Sequence, residues 1–119
     1  MSVAGFRKMA AELGWSCSPK SGTDKEGSIS VGLNEFNFYN NRLYTVYIGD
    51  PAFSTEKGLR VGDSMAKVRR LYGEPGSKYG VPDSAVTGYG YTLSEMVGMD
   101  VWIEAGKVVE ILLGWPGHE

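Results

Sequence analysis

Two β-hairpins are predicted by a pattern of apolar residues that occurs twice in the chain. When residues 36–49 are moved along by 65 positions they fall on residues 101–114, and the apolar positions coincide although few residues are identical. In each segment the apolar residues flank a predicted turn. Asn41 in the first turn and Gly106 in the second occupy equivalent positions. Asn and Gly both tolerate the left-handed backbone conformation, so each segment is expected to form strand, turn and strand.

Each hairpin follows a predicted helix and a further predicted strand. Apolar residues alternate over residues 29–33 before the first hairpin and over residues 89–93 before the second, which is typical of strands. Helical spacing of apolar residues over 6–14 and 64–73 predicts a helix before each of these strands. Each half of the chain is therefore interpreted as one helix followed by three strands.

The two α-β-β-β units, about residues 1–50 and about residues 55–115, are expected to form a single domain over residues 1–119. A half of roughly 60 residues would bury little surface alone, so the halves are expected to join their strands. The predicted fold class is α+β, with a single antiparallel β-sheet of about six strands and two helices packed on one face. The serine- and glycine-rich stretches 16–28 and 73–84 are expected to link helix to sheet inside each unit.

A three-residue loop that ends at Asn41 or Gly106 predicts the register of both hairpins. In this register one face of the sheet is almost entirely apolar and is expected to face the core. The predicted core face carries Phe36, Phe38, Tyr44, Val46, Ile48, Val101, Ile103, Val109, Ile111 and Leu113. The opposite face is half apolar, which is unusual for a purely solvated surface. Its aromatic and large apolar side chains are Tyr39, Leu43, Tyr47, Trp102, Val108 and Leu112.

The aromatic residues of this second face make it the candidate binding site. Tyr and Trp are favoured interface anchors because they bury a large area with few rotatable bonds and keep a polar atom. The residues expected to bind a protein or peptide there are Tyr39, Leu43, Tyr47, Trp102 and Leu112. The alternatives are an ordinary half-apolar strand surface, or a face covered by a loop or by a second copy of the chain in a homodimer.

Two carboxylates form a candidate charged contact on the same face. The predicted register places Asp100 opposite Glu110 and beside Trp102. Like charges that face each other destabilise a sheet pair. The pair is therefore a candidate site for a cation or a partner's Lys or Arg, or for two carboxyl groups that share a proton as acid and base. The alternative is that both side chains point into water and contribute little.

The composition argues against several other classes of function. Lys and Arg number 12 against 14 Asp and Glu, and the net charge of -2 argues against a general binder of nucleic acid or anionic membranes. No apolar run approaches the ~20 residues that a membrane span needs. The chain has one cysteine and one histidine, His118 near its end, so no cysteine-based zinc site is expected. No metal or cofactor is predicted.

A motif around the second helix resembles a known family. Residues 55–64 read Thr-Glu-Lys-Gly-Leu-Arg-Val-Gly-Asp-Ser, residues 72–75 read Tyr-Gly-Glu-Pro, and residues 106–111 read Gly-Lys-Val-Val-Glu-Ile. This pattern is similar to that of β-lactamase-inhibitor-protein-like domains and of the small lipoprotein of the bacterial β-barrel assembly machinery. The resemblance covers residues 55–114 well and residues 5–49 weakly, so the first unit is expected to be degenerate. It implies a helix-backed antiparallel sheet that binds other proteins with its open face.

The expected function is a non-enzymatic binding module that holds a protein or peptide on the open sheet face. A small hydrolase that uses acidic groups such as Asp100 and Glu110 is one alternative. A small-ligand pocket lined by Tyr89, Tyr91 and Trp102 is another. The start of the chain lacks the apolar stretch of a secretory signal. The expected location is cytoplasmic for the sequence as it stands, and envelope or secreted if a signal has been removed.

Overall fold

Two helices and one antiparallel β-sheet of eight strands make up the described part of the chain. The computed structural model describes residues 1–23, 25–80, 82–94 and 97–114. The elements are α1 (Val3–Leu13), β1 (Ser21–Gly22), β2 (Glu26–Val31), β3 (Asn34–Tyr39), β4 (Arg42–Ile48), α2 (Met65–Tyr72), β5 (Ser77–Gly80), β6 (Thr87–Thr92), β7 (Gly98–Glu104) and β8 (Lys107–Gly114). The strands lie side by side in the order β1-β2-β3-β4-β8-β7-β6-β5. The predicted α+β class and the single antiparallel sheet are confirmed.

The sheet has eight strands rather than about six because each half adds a short strand at an edge. The first of these, β1, pairs with β2, and the second, β5, pairs with β6. Both lie in the serine- and glycine-rich stretches that the sequence predicts as links. They are mostly exposed and show no alternation of apolar residues, so they lack the signal by which a half-buried strand is recognised.

The two halves of the chain join through β4 and β8. Tyr47 pairs with Leu112, and its neighbour Ile48 pairs with Ile111. Because side chains alternate along a strand, Ile48 and Ile111 point into the core while Tyr47 and Leu112 point to the opposite face. The junction therefore contributes to both faces of the sheet.

Both helices pack on the same face of the sheet. In α1, Phe6 is fully buried, and the centroid of its ring lies 4.6 Å from that of Phe36 on β3. In α2, Val68 is fully buried among strand residues of the second half. The two clusters of buried residues are continuous, because Val46 and Phe53 pack against both. The described helices leave the opposite face of the sheet uncovered, and we call it the open face.

Both long hairpins turn through two residues rather than the three that the sequence predicts. Asn40 and Asn41 have φ angles of 48° and 62°, and Ala105 and Gly106 have φ angles of 52° and 76°. Two successive residues with positive φ form the tight turn that matches the twist of a hairpin. The predicted loop length is wrong because Ala105 is a residue type that rarely adopts positive φ, so the sequence does not mark where the second turn begins.

A β-bulge follows the first turn and reverses the predicted faces of two residues. Asn37 pairs with Thr45 but Phe38 pairs with Leu43, which leaves Tyr44 as an extra residue on β4. Leu43 consequently packs against the core, and Tyr44 lies on the open face. The predicted faces of these two residues are wrong, because the extra residue shifts the alternation next to the turn.

The second hairpin has the same bulge. Trp102 pairs with Glu110 but Ile103 pairs with Val108, so Val109 is the extra residue on β8. Val108 is 1% exposed in the core, whereas Val109 is 39% exposed. The predicted faces of both valines are therefore reversed, for the same physical reason as in the first hairpin.

Candidate functional site

A groove runs over the centre of the open face. It has a volume of about 740 Å³ and draws its lining from strands of both halves. Four aromatic rings and two carboxylates contribute to it. The groove is lined by Glu35, Asn37, Tyr44, Thr45, Tyr47, Ser77, Tyr79, Asp100, Trp102 and Leu112.

Two glycines of β6 make room for one end of the groove. Gly88 pairs with Tyr79 on β5 and with Trp102 on β7, and a Cβ at this position would lie 2.7 Å from Trp102 Cζ3. Because β6 has no side chain there, the two rings meet edge to face, with centroids 5.3 Å apart and planes inclined by 67°. A Cβ at Gly90 would likewise collide with Ser77 Oγ. The glycines therefore permit the close approach of their neighbours' side chains.

Asp100 is held at the wall of the groove by a tyrosine. The hydroxyl of Tyr79 donates a hydrogen bond to Asp100 Oδ1. Across the sheet, Asp100 pairs with Leu112 and not with Glu110. The predicted pairing of Asp100 with Glu110 is wrong, because the two-residue turn and the bulge together move the register by two residues.

Glu110 lies in a second, smaller depression beside the groove. Its cross-strand neighbour is Trp102. The smaller depression has a volume of about 290 Å³ and shares Glu35 and Tyr47 with the groove. It is lined by Leu33, Glu35, Tyr47, Gly49, Val109 and Glu110.

Negative charge is disfavoured around the smaller depression. Partial burial raises the pKa of Glu110 above its ordinary value of 4.5, and the nearby charge of Glu35 raises it further. Burial also raises the pKa of the Tyr47 hydroxyl, and the charges of Glu110 and Glu35 are the next largest causes. The two glutamates thus repel each other on a face that is partly shielded from water.

The structure brings some of the predicted binding residues together and separates others. Those that line the groove are Tyr47, Trp102 and Leu112. Tyr39 lies outside the lining of the groove, with its ring centroid 6.2 Å from that of Tyr44 and 5.6 Å from Lys25 Nζ. Leu43 lies on the core face. Of the predicted charged contact, Asp100 lines the groove and Glu110 lines the smaller depression.

The alternative pocket formed by Tyr89, Tyr91 and Trp102 does not exist in this fold. The two tyrosines alternate with the glycines of β6 and pack on the core side, where Tyr91 is 8% exposed. The Tyr91 hydroxyl donates a hydrogen bond of 3.1 Å to the carbonyl oxygen of Gly73 at the end of α2. Trp102 lies on the opposite face, so the three side chains cannot line one pocket.

Six residues that line the groove are not among the predicted site residues: Glu35, Asn37, Tyr44, Thr45, Ser77 and Tyr79. The bulge hides Tyr44, and Tyr79 lies in a stretch predicted as a link. The sequence does contain a signal that a bulky side chain such as Tyr79 lies here. Gly88 and Gly90 occupy alternate positions of β6, the strand with which β5 pairs. Glycines at alternate positions of a strand indicate that bulky groups from neighbouring strands approach the backbone there.

The described residues provide neither a metal site nor a membrane-spanning helix. No group of three or more His, Cys, Asp or Glu side chains in the described ranges could hold a metal ion. His118 lies outside those ranges. Within them, no helix combines the length and the apolar character that crossing a membrane would require.

A solved structure has a similar fold. The crystal structure of YjgB, a DUF4309 family protein from Bacillus subtilis subsp. subtilis str. 168, matches this chain with a TM-score of 0.56 and 14% sequence identity. The match covers 92% of this chain and 76% of that one. At this identity the likeness shows the fold alone. No protein-family model and no curated protein matches the sequence.

Proposed function

We propose that this protein is a non-enzymatic binding module whose open face holds a segment of another protein. The observation that carries the proposal is the groove, in which the rings of Tyr44, Tyr47, Tyr79 and Trp102 lie on the face that the described helices leave uncovered. Tyr and Trp side chains are the usual anchors of protein interfaces, because they combine a large apolar area with a polar atom. Contiguous aromatic surfaces of this kind generally mark sites of interaction.

Two exposed apolar side chains extend this surface beyond the groove. Leu33, in the turn between β2 and β3, is 73% exposed, and Val109, at the bulge in β8, is 39% exposed. Both line the smaller depression together with Tyr47. A ligand that covered the groove and the smaller depression would bury all three side chains. This favours an extended protein segment over a compact small molecule.

The resemblance to β-lactamase-inhibitor-protein-like domains also supports the open face as the binding surface. In the motif at residues 55–64, Thr55 Oγ1 accepts a hydrogen bond of 3.1 Å from the Leu59 N–H and lies 2.7 Å from the Tyr72 hydroxyl oxygen. We propose these domains as distant relatives and the two units as an internal pseudo-repeat whose first copy is degenerate. The resemblance implies that the uncovered sheet face is the binding surface.

A small organic ligand is the second candidate. The groove, at about 740 Å³, falls within the range of roughly 300–1,000 Å³ that is typical of small-molecule sites. Asn37 and Asp100 would provide the polar contacts that orient such a ligand. The Asn37 side chain is oriented by a hydrogen bond of 2.9 Å that its Nδ2 donates to Thr45 Oγ1.

The test is affinity capture from a lysate with the wild-type chain and with the variant Tyr47→Ala/Trp102→Ala. The matched control is Leu13→Ala, which shortens an apolar side chain that is 57% exposed on α1. We expect a protein that the wild type and the control retain and the double variant loses, with circular dichroism showing that all three are folded. Identical captures by the three chains would overturn the proposal. Sedimentation of the purified chain distinguishes a second copy of it from a foreign partner.

A further inference from the structure

The lining of the open face is acidic although the chain as a whole is nearly neutral. Glu35 and Asp100 line the groove, and Glu110 joins Glu35 in the smaller depression. Of the described residues that line either depression, none is Lys, Arg or His. The chain nevertheless has 12 Lys and Arg residues against 14 Asp and Glu. Negative charge is therefore concentrated at this site.

The ion pairs of the described residues lie away from the open face. The ion pairs found in the described ranges join Lys67 to Asp63 at 2.9 Å and Arg69 to Glu74 at 3.3 Å, and both lie at α2. At the groove, Asp100 is held instead by a neutral donor, the hydroxyl of Tyr79. This bond orients the carboxylate at the wall of the groove and leaves its charge in place.

The aromatic rings around Asp100 suit a cationic ligand. The faces of Trp and Tyr rings attract Lys and Arg side chains, and the attraction grows where water is excluded. Trp102 and Tyr47 line the groove together with Asp100, and Leu112 is the cross-strand partner of Asp100. Lys and Arg also have aliphatic stems that pack on apolar surface while their charged ends reach a carboxylate. Both parts of such a side chain find a matching surface here.

We propose that the open face selects an extended protein segment that carries a Lys or Arg side chain, and that this side chain sits in the groove beside Asp100. Apolar neighbours in the same segment pack on Leu33 and Val109. The inference rests on the proposed function and adds the chemistry of the partner to it. Acidic segments are rejected, because their charges would face Glu35, Asp100 and Glu110.

The first experiment is an NMR titration of the full chain with three synthetic peptides. The probe is acetyl-Leu-Arg-Leu-Arg-amide. In the second peptide citrulline replaces each arginine, which keeps the shape and removes the charge, and in the third glutamate replaces each arginine. We expect the arginine peptide to shift the signals of β4, β7 and β8 and to bind about tenfold or more tightly than the citrulline peptide. We expect this binding to weaken as the salt concentration rises.

The second experiment repeats the titration with two double variants. Asp100→Asn/Glu110→Gln removes two charges from the open face and keeps the side-chain shapes, and the Asn oxygen can still accept a hydrogen bond from Tyr79. The control, Glu12→Gln/Glu56→Gln, removes two charges from exposed positions in α1 and in the loop before α2. We expect about a tenfold loss of affinity for the arginine peptide in the first variant and about twofold or less in the control.

The inference is overturned by equal affinity for the arginine and citrulline peptides, by equal losses in the two double variants, or by no binding of the arginine peptide. These failures are distinct from a failure of the proposed function. If the citrulline or glutamate peptide binds the groove and Tyr47→Ala/Trp102→Ala abolishes this binding, the open face is the binding site and only its preference for cations is wrong. Signal shifts confined to the helices would contradict both.

Discussion

Tyr79 and Trp102 meet edge to face across Gly88, with their ring centroids 5.3 Å apart. A Cβ at residue 88 would lie 2.7 Å from Trp102 Cζ3 and closer still to the ring of Tyr79. Glycine in the interior of a strand normally weakens a sheet, because it has the most backbone freedom to lose and no side chain to pack. Here it permits two aromatic rings from neighbouring strands to form one wall of the groove.

The substitution Gly88→Ala is therefore expected to destabilise the fold by about 1–3 kcal/mol, because the new methyl group overpacks the space between two rings. The matched control is Gly80→Ala in the adjacent strand β5, where a Cβ would meet nothing within 4 Å. Its expected effect is about 0.5 kcal/mol or less. Urea denaturation measures both free energies of unfolding. Equal stability of the two variants would show that the rings do not meet at Gly88.

Two adjacent valines test the bulge in β8. Val108→Ala is expected to lower the free energy of unfolding by about 1.5–3 kcal/mol, because Val108 is 1% exposed and its loss leaves a cavity in the core. Val109→Ala is expected to change it by about 0.5 kcal/mol or less, because Val109 is 39% exposed. The same denaturation experiment serves both variants. A larger loss from Val109→Ala would instead support the three-residue loop that the sequence predicts.

Glu110→Gln is expected to stabilise the fold at neutral pH and to lose this effect in acid. Burial first, and then the charge of Glu35, raise the pKa of Glu110 in the folded state above its ordinary 4.5. The stability that this group contributes is therefore fully present below the unfolded pKa and is lost as the pH rises through the folded pKa. The variant should exceed the wild type in free energy of unfolding at pH 7, and the difference should close below pH 4.5.

The control for this experiment is Glu12→Gln, which removes a carboxylate from an exposed position on α1. Its expected effect is about 0.5 kcal/mol or less at either pH. A Glu110→Gln variant less stable than the wild type at pH 7, or a difference that persists unchanged in acid, would show that the surroundings of Glu110 do not disfavour its charged form.

Long apolar alternation predicts the central part of this fold. The pattern shared by residues 36–49 and 101–114 indicates both hairpins, and each has the predicted strands. The signal is strong because these strands have one buried face, and a slip by one residue would expose the whole apolar set. The edge strands β1 and β5 escape detection because they bury little and therefore require no alternation.

The details of the open face are harder to predict, because they depend on one extra residue per hairpin. A bulge is not marked by composition: Leu43 and Tyr44, like Val108 and Val109, are adjacent residues of which either could face the core. The structure places Leu43 and Val108 against the core and the other member of each pair on the open face. Tyr47, Trp102 and Leu112 are predicted on the correct face because they lie beyond the bulges, where alternation is regular again.

Hydroxyl-radical footprinting of the chain with its captured partner tests the central claim most directly, because it reports the exposure of individual side chains. Tyr47 and Trp102 report on the groove, while Trp15 and Tyr72 pack on the helix side of the sheet. We predict that the partner slows the oxidation of Tyr47 and Trp102 and leaves Trp15 and Tyr72 unchanged. Protection of Trp15 or Tyr72, with Tyr47 and Trp102 as reactive as in the free chain, would contradict the assignment of the open face as the binding surface.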